Sequence, residues 1–107
     1  MHLKGTLPIL ILQVLERGPS HGYAIAQDIK QRSKGVLDFR EGTLYPALHS
    51  QEAKGFIEAS QRVEQGRTRR YYQLTQKGRK ALAKEKREWQ ESSNAINLIL
   101  GEALGHG

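Results

Sequence analysis

The chain has 107 residues, 37% hydrophobic and 26% charged, with 17 Lys and Arg against 11 Asp and Glu and no cysteine. That size supports one compact domain of ordinary globular composition. The lack of cysteine excludes disulfides, thiol nucleophiles and thiolate metal sites, and no apolar run reaches the roughly 18 residues that would span a bilayer.

Taken in order, Thr6 is placed to cap a helix from Leu7, with Pro8 in the first turn where its missing N–H costs nothing. Leu7, Leu10, Ile11, Val14 and Leu15 recur at helical spacing, while Ile9 and Leu12 fall on the other side. This helix is therefore apolar nearly all round and must be covered on more than one face. An apolar run behind Met1-His2-Leu3-Lys4 has the outline of a signal peptide, but it lacks a small-residue cleavage site and passes straight into helical periodicity. A cytoplasmic location is expected.

Gly18-Pro19 ends the first helix, and Ser20 is a good cap for a second that carries Ile25 and Ile29 and closes at Gly35. Val36 to Arg40 is short and mixed, a candidate stub of strand. Thr43 is predicted to cap a third helix with Leu44, Ala47, Leu48 and Gln51 on one face, Pro46 at its third position and Gly55 at its close. The runs Phe56 to Val63 and Arg70 to Leu74 alternate around Glu64-Gln65-Gly66, which predicts a β-hairpin. Thr75 caps a last helix to about Leu104, with Leu82, Trp89, Ile96, Ile99 and Leu100 as its apolar stripe.

Three helices, a hairpin and a long helix make a mainly α fold with a small hairpin, an α+β winged helix-turn-helix. Residues 1–75 are expected to form the DNA-binding domain, and residues 76–107 a C-terminal dimerisation helix packed on it. So small a core cannot bury the whole stripe of the last helix. A homodimer is expected, joined through the Leu7–Leu15 helix and through Leu82, Trp89, Ile96, Ile99 and Leu100.

The net charge of +6 is concentrated. Residues 61–80 hold Arg62, Arg67, Arg69, Arg70, Lys77, Arg79 and Lys80 against Glu64 alone, so the rest of the chain balances to zero. Such a segment is a footprint for a polyanion, and its place on a hairpin rather than on an amphipathic helix face favours double-stranded DNA over a membrane. The second and third helices form the helix-turn-helix, whose second member enters the major groove by its amino-terminal residues. With Leu44, Ala47 and Leu48 facing the core, Thr43, Tyr45, Pro46 and His49 are left to point outward; the alternative is that Tyr45 packs on a neighbouring element and His49 is only solvated. Thr43 and His49 offer hydrogen bonds, and the Tyr45 ring and Pro46 offer apolar contact to a thymine methyl. Ser20, His21 and Tyr23 lie at the amino end of the second helix, where free N–H groups and the helix dipole favour a phosphate. Arg67 and Arg69 beside the Gly66 turn can reach a neighbouring minor groove or its phosphates, with Lys77 behind them; Arg70 alternates onto the inward Tyr72 face. Glu52, lower on the third helix, would repel phosphates. Trp89 reads either as a core or interface residue or as one wall of a ligand pocket shared by two copies. No nucleophile–base pair, carboxylate cluster or metal-ligand spacing occurs, so neither an enzyme nor a cofactor or metal is expected.

Several blocks of the chain also carry a family resemblance. Lys4-Gly5-Thr6-Leu7 with Ile9 to Leu15, Ser20-His21-Gly22-Tyr23-Ala24-Ile25, Gly42-Thr43-Leu44-Tyr45-Pro46-Ala47-Leu48, Lys54-Gly55-Phe56-Ile57 and the run Arg69 to Gly78 closely resemble PadR-family transcriptional regulators, over about residues 3 to 82. The resemblance implies a homodimeric winged-helix repressor on an inverted-repeat operator, of the compact subgroup with one final helix. It also implies that Trp89 lines a central ligand pore, with a small aromatic effector as candidate ligand. An alternative makes that capture the principal activity, as a sensor of multidrug or phenolic compounds at the dimer interface.

Overall fold

In the computed structural model, which describes residues 3–101, Leu3–Thr6 form a short 3-10 helix that runs directly into α1, Leu7–Leu15. Thr6 already has helical dihedrals, so its side chain makes no capping bond of the kind predicted; the preceding helical turn takes the place of a cap. Leu7, Ile11, Leu12, Val14 and Leu15 are all buried, which meets the expectation of a helix covered on more than one face.

Strand β1, Ser20–His21, precedes α2, Gly22–Arg32. Ser20 is therefore not the cap of α2. Its backbone is drawn into a sheet opposite Tyr72, and His21 takes over as cap, with Nδ1 accepting from the Ala24 N–H at 3.4 Å. The predicted strand stub at 36–40 does not form, and the third strand of the sheet is β1 instead. Helix α3 spans Glu41–Ala53, one turn earlier than predicted, because the Arg40 carbonyl accepts from both Thr43 and Leu44. Thr43 is thus inside the helix, and Pro46 is its sixth residue rather than its third. The missing Pro46 N–H leaves the Gly42 carbonyl without its helical donor, at an exposed position where water can serve it.

Strands β2, Ile57–Glu64, and β3, Arg67–Leu74, pair antiparallel from Ile57 opposite Leu74 to Glu64 opposite Arg67. The sheet order is β1-β3-β2. Only Gln65 and Gly66 form the turn, both with positive φ (51° and 77°), the backbone of a tight two-residue hairpin. Glu64, read from sequence as a turn residue, is therefore a strand residue. Helix α4 spans Gln76–Leu100, capped as predicted by Thr75, whose hydroxyl accepts from the Gly78 N–H at 3.0 Å. Gly101 closes it in the left-handed region, and Leu104 lies outside the described residues.

The core joins α1, Ile25 and Ile29 of α2, Leu44 and Leu48 of α3, Ile57, Tyr72 and Leu74 of the sheet and Leu82 of α4. Burial of each such side chain contributes about 1.5–3 kcal/mol, so this cluster fixes how the hairpin and α4 leave the body. Gly78 is the joint between them: a Cβ there would collide with the Phe56 carbonyl oxygen and come within 2.8 Å of Leu74. Among the described residues no helix is long and apolar enough to cross a membrane.

Candidate nucleic-acid interface

The alternation of β3 decides where each charge goes. Tyr72 and Leu74 point into the core, so Arg67, Arg69, Tyr71 and Gln73 share the outer face. Pairing places Arg62 of β2 opposite Arg69, Glu64 opposite Arg67, and His21 of β1 opposite Tyr71 on that same face. A polar concavity of about 380 Å³ results, lined by His21, Glu64, Gln65, Arg67 and Arg69. Arg69 Nη1 stands 3.5 Å from His21 Nε2, the His21 and Tyr71 rings meet edge to face at 5.3 Å, and the Arg62 guanidinium lies 4.2 Å above the Tyr71 ring. Glu64 collects the donors: the Tyr71 hydroxyl donates to its two oxygens at 2.8 and 2.9 Å, and Arg69 Nε lies 3.7 Å away. That donation is the main cause that pushes the Tyr71 phenol up from its ordinary value.

The inner face of the hairpin turns toward α3. Beyond the core, Arg70 reaches out and donates to both oxygens of Glu52, at 2.9 and 3.2 Å. The inward lean expected of Arg70 thus ends on a carboxylate, and Glu52 faces a guanidinium rather than open solvent. An ion pair this exposed is screened by water and adds little to stability, so what it marks is position: the hairpin stands beside α3.

On α3, Leu44, Leu48 and Gln51 are buried, and Pro46, His49, Ser50 and Ala53 form the exposed stripe opposite them. At 100° per residue Glu52 borders that stripe on the hairpin side and Thr43 lies toward its other edge, half-buried. Tyr45, expected to point outward, instead turns onto the amino end of α2. A Cβ at Gly22 would come within 2.7 Å of its hydroxyl, and the ring packs against the core cluster. Burial pushes its phenol up, with Glu41 and Tyr72 adding to the shift. The large flat ring finds more apolar surface in the notch opened by Gly22 than it would in water. Tyr23 is the exposed aromatic here, at 64% of its surface.

The fold therefore brings His21, Arg67 and Arg69 into one cluster and leaves Pro46, His49 and Tyr23 open to solvent. Ser20 is a sheet residue at the margin of that cluster. Lys77 is elsewhere: its Nζ sits 5.6 Å over the Phe56 ring beside Gly55, at the base of the hairpin, seven strand residues or about 23 Å from the Arg67 end. Trp89 lies on α4 beside a largely apolar cavity of about 570 Å³, lined also by Ile9, Leu10, Val36, Leu37 and Lys86. Sequence reasoning missed Arg62, Glu64 and Tyr71 as members of the wing cluster. A two-residue turn at Gln65-Gly66 was the signal available for them, since it alone sets Glu64 against Arg67 and Arg62 against Arg69.

Residues 11–84 match the family model described as the transcriptional regulator PadR-like family. The chain is 38% identical over 87 residues to transcriptional regulator Rv3488 of Mycobacterium tuberculosis, covering 81% of this chain and 78% of that protein. Among solved structures, a transcriptional regulator from Clostridium thermocellum superposes with a TM-score of 0.83 at 30% identity, over 89% of this chain and 90% of that one. A PadR family transcription regulator from hypervirulent Clostridium difficile does so with a TM-score of 0.79 at 36% identity, over 90% and 99%.

Proposed function

This chain belongs to the PadR-like family of transcriptional regulators, and from that membership we propose that it is a homodimeric repressor that binds an inverted-repeat operator. Regulation of transcription by this family implies DNA binding, and its members are not enzymes. Such a regulator works in the cytoplasm, where its DNA is. The observation that carries the site assignment is the Arg70–Glu52 contact, because it marks how closely the core sets the arginine-bearing hairpin alongside the exposed stripe of α3. One element can then enter a major groove while the other meets the flanking backbone or minor groove.

In this reading Pro46 and His49 touch base edges, with Thr43 at their margin. Tyr23, His21, Ser20, Arg67 and Arg69 hold phosphates, and Tyr45 acts from behind by fixing α2 against α3. Lys77 contributes long-range attraction from the hairpin base. The exposed Trp89, Ile96, Leu98, Ile99 and Leu100 of α4 support the second subunit, since apolar residues in such a row are unfavourable in water. Selection of bound duplexes from a random DNA pool tests the proposal. A pseudo-palindrome with half-sites one helical turn apart, about 34–36 Å, is expected. Failure to bind any duplex at low salt would sink it.

The cavity beside Trp89 favours a second reading, in which a small aromatic ligand releases the operator. Its volume is in the range of drug-sized sites. Titration of planar aromatic compounds against Trp89 fluorescence checks it, and an unresponsive signal across a broad panel removes the ligand from the account.

A further inference from the structure

On the outer face of the hairpin, Glu64 stands among His21, Arg69 and Tyr71, three side chains that need an acceptor. His21 Nδ1 accepts from the Ala24 N–H, so the ring proton of neutral His21 sits on Nε2. At the 3.5 Å approach of Arg69 Nη1 to that nitrogen, both groups are donors and neither satisfies the other. Tyr71 is the third donor, and its hydroxyl is committed to Glu64. Glu64 also attracts Arg69, at 3.7 Å. A carboxylate carries one negative charge shared by two equivalent oxygens, as do the two non-bridging oxygens of a phosphodiester. Glu64 meets Tyr71 by hydrogen bond and Arg69 by charge, as a DNA phosphate would, and leaves the His21 Nε2–H without an acceptor from it.

We infer that the concavity lined by His21, Arg67 and Arg69, with the Tyr71 hydroxyl reaching its Glu64 wall, is a site for a single backbone phosphate of DNA, and that the Glu64 carboxylate occupies that phosphate's place when DNA is absent. This rests on the DNA-binding reading and adds to it a residue that opposes binding. On association the phosphate displaces Glu64, and the His21 Nε2–H, the Arg69 guanidinium and the Tyr71 hydroxyl turn to the new acceptor. The released carboxylate stays nearby and costs affinity for every sequence alike, because it meets the backbone and not a base. Glu64 thereby sets how strongly the protein holds DNA at large, and so how far an operator stands out from it.

The test is a gain of binding, which a misfolded variant would not show. Glu64→Gln keeps the size and an acceptor for Tyr71 but removes the charge. Its affinity for a non-specific duplex is expected to rise about fivefold, the effect of one charge near 4 Å in water, and its salt dependence to steepen by about 0.9 in log–log slope. Glu58→Gln is the control, since Glu58 is on the same face but bonded to Gln73 at 2.8 Å, away from His21 and Arg69. Its gain is expected to be less than half as large. In an Arg69→Ala background the gain from Glu64→Gln is expected to vanish. Equal gains at the two glutamates, or a gain that persists without Arg69, would mean a general field effect and overturn the inference. Wild-type binding with no gain in Glu64→Gln overturns the inference alone, whereas no duplex binding by either protein overturns the DNA-binding reading with it. The His21 Nε2 resonance is expected to move on titration with the duplex. A shift as large with inorganic phosphate at equal concentration would assign the site to free phosphate and also overturn it.

Discussion

The hairpin and α4 leave the core in the same manner and end in opposite chemistry. Each has one buried end, Ile57 and Leu74 for the hairpin and Leu82 for α4, and each runs out of core before it stops. The free end of the hairpin carries Arg62, Glu64, Arg67 and Arg69, whereas the free end of α4 carries Ile96, Leu98, Ile99 and Leu100, with Leu98 and Ile99 more than four-fifths exposed. An exposed apolar row is unfavourable in water until another apolar surface covers it, while an exposed arginine face is well solvated until a polyanion releases its counterions. A body of 54 × 28 × 22 Å thus presents two surfaces for two kinds of partner. Salt should weaken one association and leave the other nearly untouched.

The contrast depends on a shared joint, and breaking it should have the largest effect. Gly78→Ala would push a methyl group into the Phe56 carbonyl and Leu74, prising α4 off the hairpin base. A loss of more than about 3 kcal/mol in denaturant melts is expected. Stability within about 1 kcal/mol of wild type would mean that the two elements are not anchored in common. Next in size, Ile96→Asp with Ile99→Asp should leave the far-ultraviolet signal of the fold intact but give a monomer in sedimentation. Loss of the second half-site should then weaken binding to an inverted repeat by about a hundredfold or more. A double variant that stays dimeric would remove α4 from the interface. Smaller again, Arg67→Ala with Arg69→Ala should weaken all duplexes by about tenfold and flatten the log–log salt dependence by about 1.8, with no change in sedimentation. Unaltered salt dependence would take the hairpin out of the DNA contact.

What the sequence disclosed differs between these same regions. The apolar stripe of α4 and its Thr75 cap were legible because helical periodicity and capping are local. The hairpin was legible as a hairpin, but its register was not. Reading Glu64 as a turn residue hid its alignment with Arg67, and a shift of this size changes which side chains share a face. Ser20 and Thr43 misled for a related reason. Both are good caps by composition, yet a long-range pairing with Tyr72 claimed the first and an earlier Arg40 start displaced the second. Tyr45 was read as exposed because its helical position is peripheral. Only tertiary structure shows that Gly22 opens a notch for its ring. Where function depends on one element meeting another, as at Arg70 and Glu52, the order of residues along the chain carried the types but not the meeting.

The smallest effect sharpens the contrast from the ionic side. Tyr71 donates to Glu64, which raises its phenol above the ordinary value of 10.0, while Arg62 and Arg69 pull the other way. A phenol whose folded value is raised loses its proton first in the unfolded chain. Its contribution to stability is therefore complete below pH about 10 and is lost as the pH rises through the folded value. Glu64→Ala removes the main cause, so the Tyr71 transition in an ultraviolet titration, assigned by its absence in Tyr71→Phe, should move down toward the ordinary value. The alkaline limb of the stability curve should begin correspondingly earlier. Dimerisation, read at neutral pH, should not respond, because the exposed row from Ile96 to Leu100 carries no group that Glu64 touches. An unmoved Tyr71 transition would show that Glu64 does not hold the wing face together. A change in dimerisation would show that the hairpin and α4 do not act apart.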